Sequence, residues 1–337
     1  MRKTLAAAAA FFLGALITAP ANAESSDPFL DRQWGLTNIH AEAAWSVTDG
    51  TGATIAIVDT GVDVEHPDLA ANVLSPADAD FTGDGDDDGA QDENGHGTHV
   101  AGIAAAARGN GVGGAGVAPG AKILAVRVLD EGGTGSALGV ANGINYAADK
   151  GADVINLSLG ATSGLGQVGQ LQGDYELVYE AIDHAWAGGA VVVVAAGNDA
   201  FPLCTEPAAA PKALCVGATD ANDLRSFFSN SDATMTRAYL VAPGGNGLSC
   251  AGEIFSTYLR SAPKSPCSPS SGYDAIAGTS MATPFVSGVA ALLASRGLTN
   301  DQILDCLLET ADDLGAPGRD PVFGYGLVDA QAAVTGC

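Results

Sequence analysis

Three short segments, far apart in the chain and in a fixed order, carry side chains able to do covalent chemistry. They are Asp59-Thr60-Gly61, Asn94-Gly95-His96-Gly97-Thr98-His99-Val100-Ala101-Gly102 and Gly278-Thr279-Ser280-Met281-Ala282-Thr283-Pro284. Together they offer a carboxylate, an imidazole and a hydroxyl. A serine alcohol is a weak nucleophile at neutral pH, so it needs a base within hydrogen-bond reach, and the base needs a third group to fix its tautomer and steady its charged form. Asp59, His96 and Ser280 have the types for those roles. Taken singly, each has a plainer explanation, such as a strand-end aspartate in a turn or a serine capping a helix. The ordered set is what points to catalysis. His99 follows His96 by three residues and lacks both the i, i+4 spacing and the intervening glutamate of a zinc-protease helix, so it reads as structural. His40, His66 and His184 have no companions of ligand type at informative spacing and read as surface or packing residues.

The elements that must position these groups are legible as a rhythm. Short runs rich in Val, Ile and Ala, at Thr54 to Val58, Ile123 to Leu129, Val154 to Leu159, Val191 to Ala196, Leu214 to Ala218 and Tyr239 to Ala242, alternate with helical patterns. Continuous apolar runs of this length predict parallel strands buried on both faces, with crossover helices packed against them. The expected fold is α/β: a doubly wound, mostly parallel sheet with helices on both faces. Sites in such sheets form at the carboxyl ends of strands, and Asp59, Ser158 and Asn198 each stand where an apolar run stops. His96 and Ser280 instead open helical patterns, and a nucleophile at a helix N-terminus gains free backbone N–H groups for developing negative charge. Pro284, four residues after Ser280, removes the N–H that would normally bond the Ser280 carbonyl.

Two further segments, Ser158-Leu159-Gly160 and Ala195-Ala196-Gly197-Asn198, join the three above in an ordered set of five. On these segments the chain resembles the subtilisin-like serine proteases, closest to their thermitase-like branch, from about Gln33 to Ala330. The resemblance implies a serine endopeptidase acting on protein or peptide substrates without a catalytic cofactor. In it Ser280 attacks the peptide carbonyl, His96 is the general base, Asp59 orients it, and Asn198 with the Ser280 N–H holds the oxyanion. It also implies that Gly133-Thr134-Gly135 and Ser158-Leu159-Gly160 flank an extended substrate and pair with its backbone. Asp199 would then present a negative charge near the pocket for the side chain preceding the cleaved bond. Specificity is expected to be broad; a narrow processing protease and a catalytically silent calcium-binding scaffold are the alternatives.

A glycine-spaced acidic run, Asp80 to Gln91, has the chemistry of a calcium loop, since carboxylates that repel one another can wrap one hard cation. The resemblance places a calcium site here, with Asp80, Asp84, Asp86, Asp88 and Gln91 as the nearest matches in a loop about two residues longer than the family's. A second calcium site is implied at Asp68, Asn110 and the carbonyls of Val112 and Gly114, with Asp27 contributing a carboxylate. Calcium is thus expected as a structural ion at one or two sites.

Composition sets the remaining bounds. Arg2 and Lys3, an apolar run from Leu5 to Ile17 and the small residues Ala21-Asn22-Ala23 read as a secretory signal, residues 1–23, cut before Glu24. Residues 24–33 form a short N-terminal segment, and 34–337 the catalytic domain. The exported chain keeps 12 basic against 39 acidic residues, a net charge of about −27. Nucleic acid and anionic membranes are poor partners for it. A secreted monomer with no membrane attachment after signal removal is expected. The six cysteines, Cys204, Cys215, Cys250, Cys267, Cys306 and Cys337, allow 15 disulfide connectivities, of which nearest-neighbour pairing is the expectation. Two departures from the family stand out. Only about ten residues separate Glu24 from the stretch resembling the start of the catalytic domain, too few for a long pro-region. Phe285 replaces the histidine the family usually carries after the proline of the serine segment.

Overall fold

A computed structural model of the chain describes residues 27–74, 79–83, 89–160, 170–172 and 174–337. The signal-like segment and Asp84, Asp86 and Asp88 lie outside these residues. Two short helices, α1 (Trp34–Asn38) and α2 (Ala41–Ala44), lead into β1 (Thr54–Asp59), α3 (His96–Ala105) and β2 (Lys122–Arg127). Then come β3 (Thr134–Ser136), α4 (Ala137–Asp149), β4 (Val154–Leu157), β5 (Gln170–Gln172), α5 (Tyr175–Ala187), β6 (Val191–Ala195), β7 (Ala213–Thr219) and β8 (Tyr239–Pro243). The chain ends with the hairpin β9 (Ile254–Thr257) and β10 (Tyr273–Ile276), followed by α6 (Thr279–Ala294), α7 (Asn300–Glu309) and α8 (Ala330–Gly336).

Six strands form one sheet in the order β2-β1-β4-β6-β7-β8, every neighbouring pair parallel. Each of the six apolar runs supplies one of them. All residues of β4, β6, β7 and β8 are buried, which is why these strands read as unbroken apolar runs rather than alternating ones. Adjacent residues of β1 show that helices cover both faces. A Cβ added at Gly143 of α4 would lie 3.4 Å from the Val58 side chain, while the next residue, Asp59, bonds to His96 on α3. α4 packs with α5, and α3 packs with α6, which also crosses β4, β6, β7 and β8. The strand order reverses between β1 and β4, and in doubly wound sheets ligand crevices open at such a reversal, outside the carboxyl ends of the strands.

α6 is buried along Thr279–Leu293. Its Val, Ala and Leu side chains lie in the core, where each fully buried Val or Leu contributes about 1.5–3 kcal/mol. Disulfides join Cys204 to Cys215, Cys250 to Cys267 and Cys306 to Cys337. The first ties the loop after Asn198 to β7, the second ties the segment just before β9 to the loop between β9 and β10, and the third fastens the chain end to α7. No helix among the described residues is long and apolar enough to cross a membrane.

Candidate active site

Asp59 is the last residue of β1 and has no exposed surface. Its Oδ1 accepts the Thr60 backbone N–H at 2.7 Å and stands 2.7 Å from Nδ1 of His96, the first residue of α3. Burial works against a charged imidazole at His96. The Asp59 charge and hydrogen bond, with a smaller contribution from Asp92, outweigh it, so the pKa of His96 lies above its ordinary value. One turn on, burial holds the His99 imidazole neutral, down to about 3, with the nearby His96 adding to the effect. His66 is buried against Tyr273 with Nε2 at 2.8 Å from the Gly272 carbonyl, while His40 and His184 pair with Asp329 and Asp149 nearer the surface.

Ser280 is the second residue of α6, so helix geometry leaves its N–H without an intrahelical partner. Its hydroxyl donates to the Ser158 carbonyl at 3.2 Å. The carbonyl that Pro284 deprives of a helical partner is taken by Ser158 Oγ–H at 2.8 Å. Ser158 Oγ in turn accepts from Asn156 Nδ2 at 3.0 Å, and Asn156 Oδ1 accepts from the Ser287 hydroxyl at 2.8 Å. Asn156, Ser158 and Ser287 are all fully buried, so β4 and α6 are stitched together by a satisfied polar chain next to Ser280. The sequence reading missed Asn156 and Ser287 and the side chain of Ser158; the missing N–H at Pro284 was the one signal that something must stand in for it.

Asn198 follows β6, and its Oδ1 accepts the Thr279 N–H at 2.9 Å and the Thr279 hydroxyl at 3.0 Å. Both bonds fix the amide oxygen on Thr279, which leaves Nδ2 as the donor end of the side chain. Ser158, Leu159 and Gly160 extend from the end of β4, and Gly133-Thr134-Gly135 enters β3, which pairs in parallel with β5. The N–H of Asp199 donates to Asn230 Oδ1 at 3.0 Å, fixing the backbone beside Asn198.

Of the acidic loop, Asp80 and Gln91 are described. Asp80 Oδ2 accepts from the buried Arg127 at 3.1 Å, and its Oδ1 accepts from the Thr82 N–H and hydroxyl, each at 2.7 Å. Arg127 also pairs with Glu93 at 2.8 Å, tying this loop to the segment before His96. Gln91 donates to the Asp92 carbonyl at 3.2 Å. The second oxygen cluster is more complete. Asp27 accepts the N–H groups of Gly109 at 2.7 Å and Asn110 at 3.1 Å. Asp68 accepts from Asn110 Nδ2 at 2.8 Å and the Gly114 N–H at 3.1 Å, and Val112 N–H bonds the Asn110 side-chain oxygen at 2.9 Å. Both carboxylates are buried, and among the described residues no lysine or arginine pairs with Asp68. Burial pushes the Asp68 carboxyl up to about 6 against its hydrogen bonds, and the Asp27 charge adds to the rise. Two buried carboxylates beside the oxygen-bearing side chain of Asn110 are the hard oxygen donors that a divalent cation takes.

An α/β sheet with a buried Asp–His pair at one strand end, and a serine at the N-terminus of a buried helix beside the neighbouring strand, has the parts that a serine hydrolase needs. Comparison with known proteins narrows the class. The Subtilase family, peptidase S8, matches residues 50–326. Thermitase of Thermoactinomyces vulgaris is 45% identical over 92% of this chain and 98% of its own, and Subtilisin Savinase of Lederbergia lenta is 38% identical over 89% and 97%. Among solved structures, a protease of Pseudoalteromonas arctica superposes with a TM-score of 0.79 at 32% identity, covering 93% of this chain and 99% of its own. The chain belongs to the subtilase family and is a subtilisin-like serine endopeptidase.

Proposed function

We propose that the protein is a secreted, calcium-stabilised endopeptidase of broad specificity that cleaves peptide bonds through an acyl-enzyme on Ser280. The observation that carries this reading is the 2.7 Å contact between buried Asp59, at the end of β1, and His96, with Ser280 bonded to Ser158 just past the end of the neighbouring β4. In the reaction, Ser280 Oγ turns from the Ser158 carbonyl to Nε2 of His96, gives up its proton and attacks the substrate carbonyl. Asp59 holds the imidazole with Nδ1–H toward itself and steadies the imidazolium. The oxyanion is met by Asn198 Nδ2 and the Ser280 N–H. Protonated His96 then delivers its proton to the leaving amine, and water repeats the sequence to release the acyl group.

Gly133 to Gly135 on one side and Ser158 to Gly160 on the other receive the substrate as an added strand, and Asp199 biases the adjoining pocket toward basic side chains. Asp27, Asp68, Asn110 and the Val112 and Gly114 carbonyls would hold one calcium ion, and Asp80, Asp84, Asp86, Asp88 and Gln91 a second; each ion would offset the repulsion between carboxylates and, binding the folded chain alone, would stabilise it. Residues 1–23 are removed on export, leaving residues 24–33 ahead of a catalytic domain, 34–337, that works as a monomer. The disulfides accord with an oxidising compartment.

One observation favours the narrower, processing type of specificity. The disulfide-tied β9–β10 hairpin leans on the loop before His96: Tyr258 donates to the Asn94 carbonyl at 3.3 Å, and a Cβ at Gly95 would come within 2.5 Å of the Tyr258 ring. Digestion of a mixture of denatured proteins tests between them. Many cleavages of varied sequence support broad specificity, a few sharing one sequence support the processing reading, and none from folded, calcium-loaded protein refutes both.

A further inference from the structure

Asp92 is a second buried carboxylate near His96, four residues before it and outside the Asp–His–Ser set. Five donors converge on it. Its Oδ1 accepts from the Thr60 hydroxyl and from the N–H groups of Asn94 and Gly95, each at 2.9 Å. Its Oδ2 accepts from the Thr98 N–H at 2.9 Å and the Thr98 hydroxyl at 2.6 Å. Both hydroxyls are already acceptors, Thr60 from the Gly97 N–H at 2.9 Å and Thr98 from the Asp63 N–H at 2.8 Å. Each therefore passes its own proton to Asp92. A carboxyl group met by donors on both oxygens has the bonding of the ionised form. With donors on both oxygens, no acceptor is left there for a proton of its own. Among the described residues no lysine or arginine pairs with Asp92. What faces the charge is the N-terminal turn of α3, whose aligned N–H groups favour an anion.

The donors come from both sides of the Asp59–His96 contact. Thr60 follows Asp59 at the end of β1, whereas Asn94 to Thr98 bracket His96. We propose that Asp92 is a positioning residue for peptide hydrolysis: it locks the first turn of α3 onto the end of β1, and its negative charge supports the imidazolium that His96 becomes during the reaction. The inference rests on His96 being the general base. The groups that face this pair are Asp59 from β1, His99 along α3, held neutral by burial, and Tyr258 from the β9–β10 hairpin, whose phenol burial and the Asp92 charge keep protonated.

The test compares wild type, Asp92→Asn, Thr60→Val and His96→Ala as calcium-loaded enzymes, with kcat and KM for a peptide anilide measured from about pH 5 to 10. Removing the charge moves the acid limb of kcat/KM down by about half a pH unit or more. It also lowers kcat about 10- to 100-fold with KM nearly unchanged, because the imidazole is misplaced rather than the substrate. Thr60→Val keeps the charge and loses one strut, so kcat falls while the limb stays in place. A folded Asp92→Asn enzyme with an unmoved acid limb overturns the proposal. Should that variant fail to fold, wild-type kcat in Thr60→Val overturns it equally. Retained activity in His96→Ala would instead refute the general-base reading beneath it.

Discussion

Ser158 meets Ser280 twice: its carbonyl accepts the Ser280 hydroxyl, and its own hydroxyl fills the place of the N–H that Pro284 lacks. A serine that the family resemblance picks out as part of a substrate strand thus also anchors the helix that carries Ser280. Residue type and order made Asp59, His96 and Ser280 legible as candidates, because a carboxylate, an imidazole and a hydroxyl suit those roles, while Asn198 came with the family resemblance. Asn156 and Ser287 were not legible, since side-chain bonds across more than a hundred residues are set by packing and leave no local pattern. At this scale Asn198→Ala is expected to lower kcat about 10²- to 10³-fold with little change in KM, which steady-state kinetics on a peptide anilide would read. A second expectation concerns acid stability. The folded pKa of His99, about 3, lies below its ordinary 6.5, so between these values the unfolded chain takes up a proton that the folded chain refuses. Stability then falls as pH drops through that window, by up to about 1.4 kcal/mol per unit from this residue. Denaturant unfolding of calcium-loaded Ser280→Ala near pH 7 and pH 5 should show the loss, and His99→Leu should reduce it; an identical pH dependence in the variant contradicts this assignment.

Among elements, the six sheet strands were legible because burial on both faces makes each a continuous apolar run. The three- and four-residue strands β3, β5, β9 and β10 were not, being too short to carry a period. Phe285 shows how a departure from the family is absorbed. The ring lies in the core against α1, where a Cβ added at Gly35 would approach it to 2.5 Å and the Pro243 ring to 3.1 Å. The two residues are 250 positions apart, so only the substitution, not its partner, was visible in the sequence. Gly35→Ala is expected to cost about 1–3 kcal/mol by overpacking, read as a lower melting temperature, and Phe285→Leu should recover part of the loss. Equal melting temperatures for wild type and Gly35→Ala would show that the helix shifts freely at this contact.

For the whole molecule, charge is the dominant fact. A formal net charge of −25 is carried by a chain that buries Asp27 and Asp68 beside one another with neutral donors around Asp68. Calcium bound only to the folded state would raise stability by mass action. Chelation of Ser280→Ala with EDTA, which removes self-digestion from the readout, is expected to lower the melting temperature, and chelation of the active enzyme to speed its autolysis. An unchanged melting temperature would rule out both calcium sites.

The central claim is that Ser280 is an activated nucleophile, and intact mass measured before and after a serine-reactive phosphonofluoridate tests it most directly. A single adduct that maps to Ser280, absent from Ser280→Ala, is the predicted result. Folded, calcium-loaded protein that gains no adduct, or one that labels equally without Ser280, would contradict it.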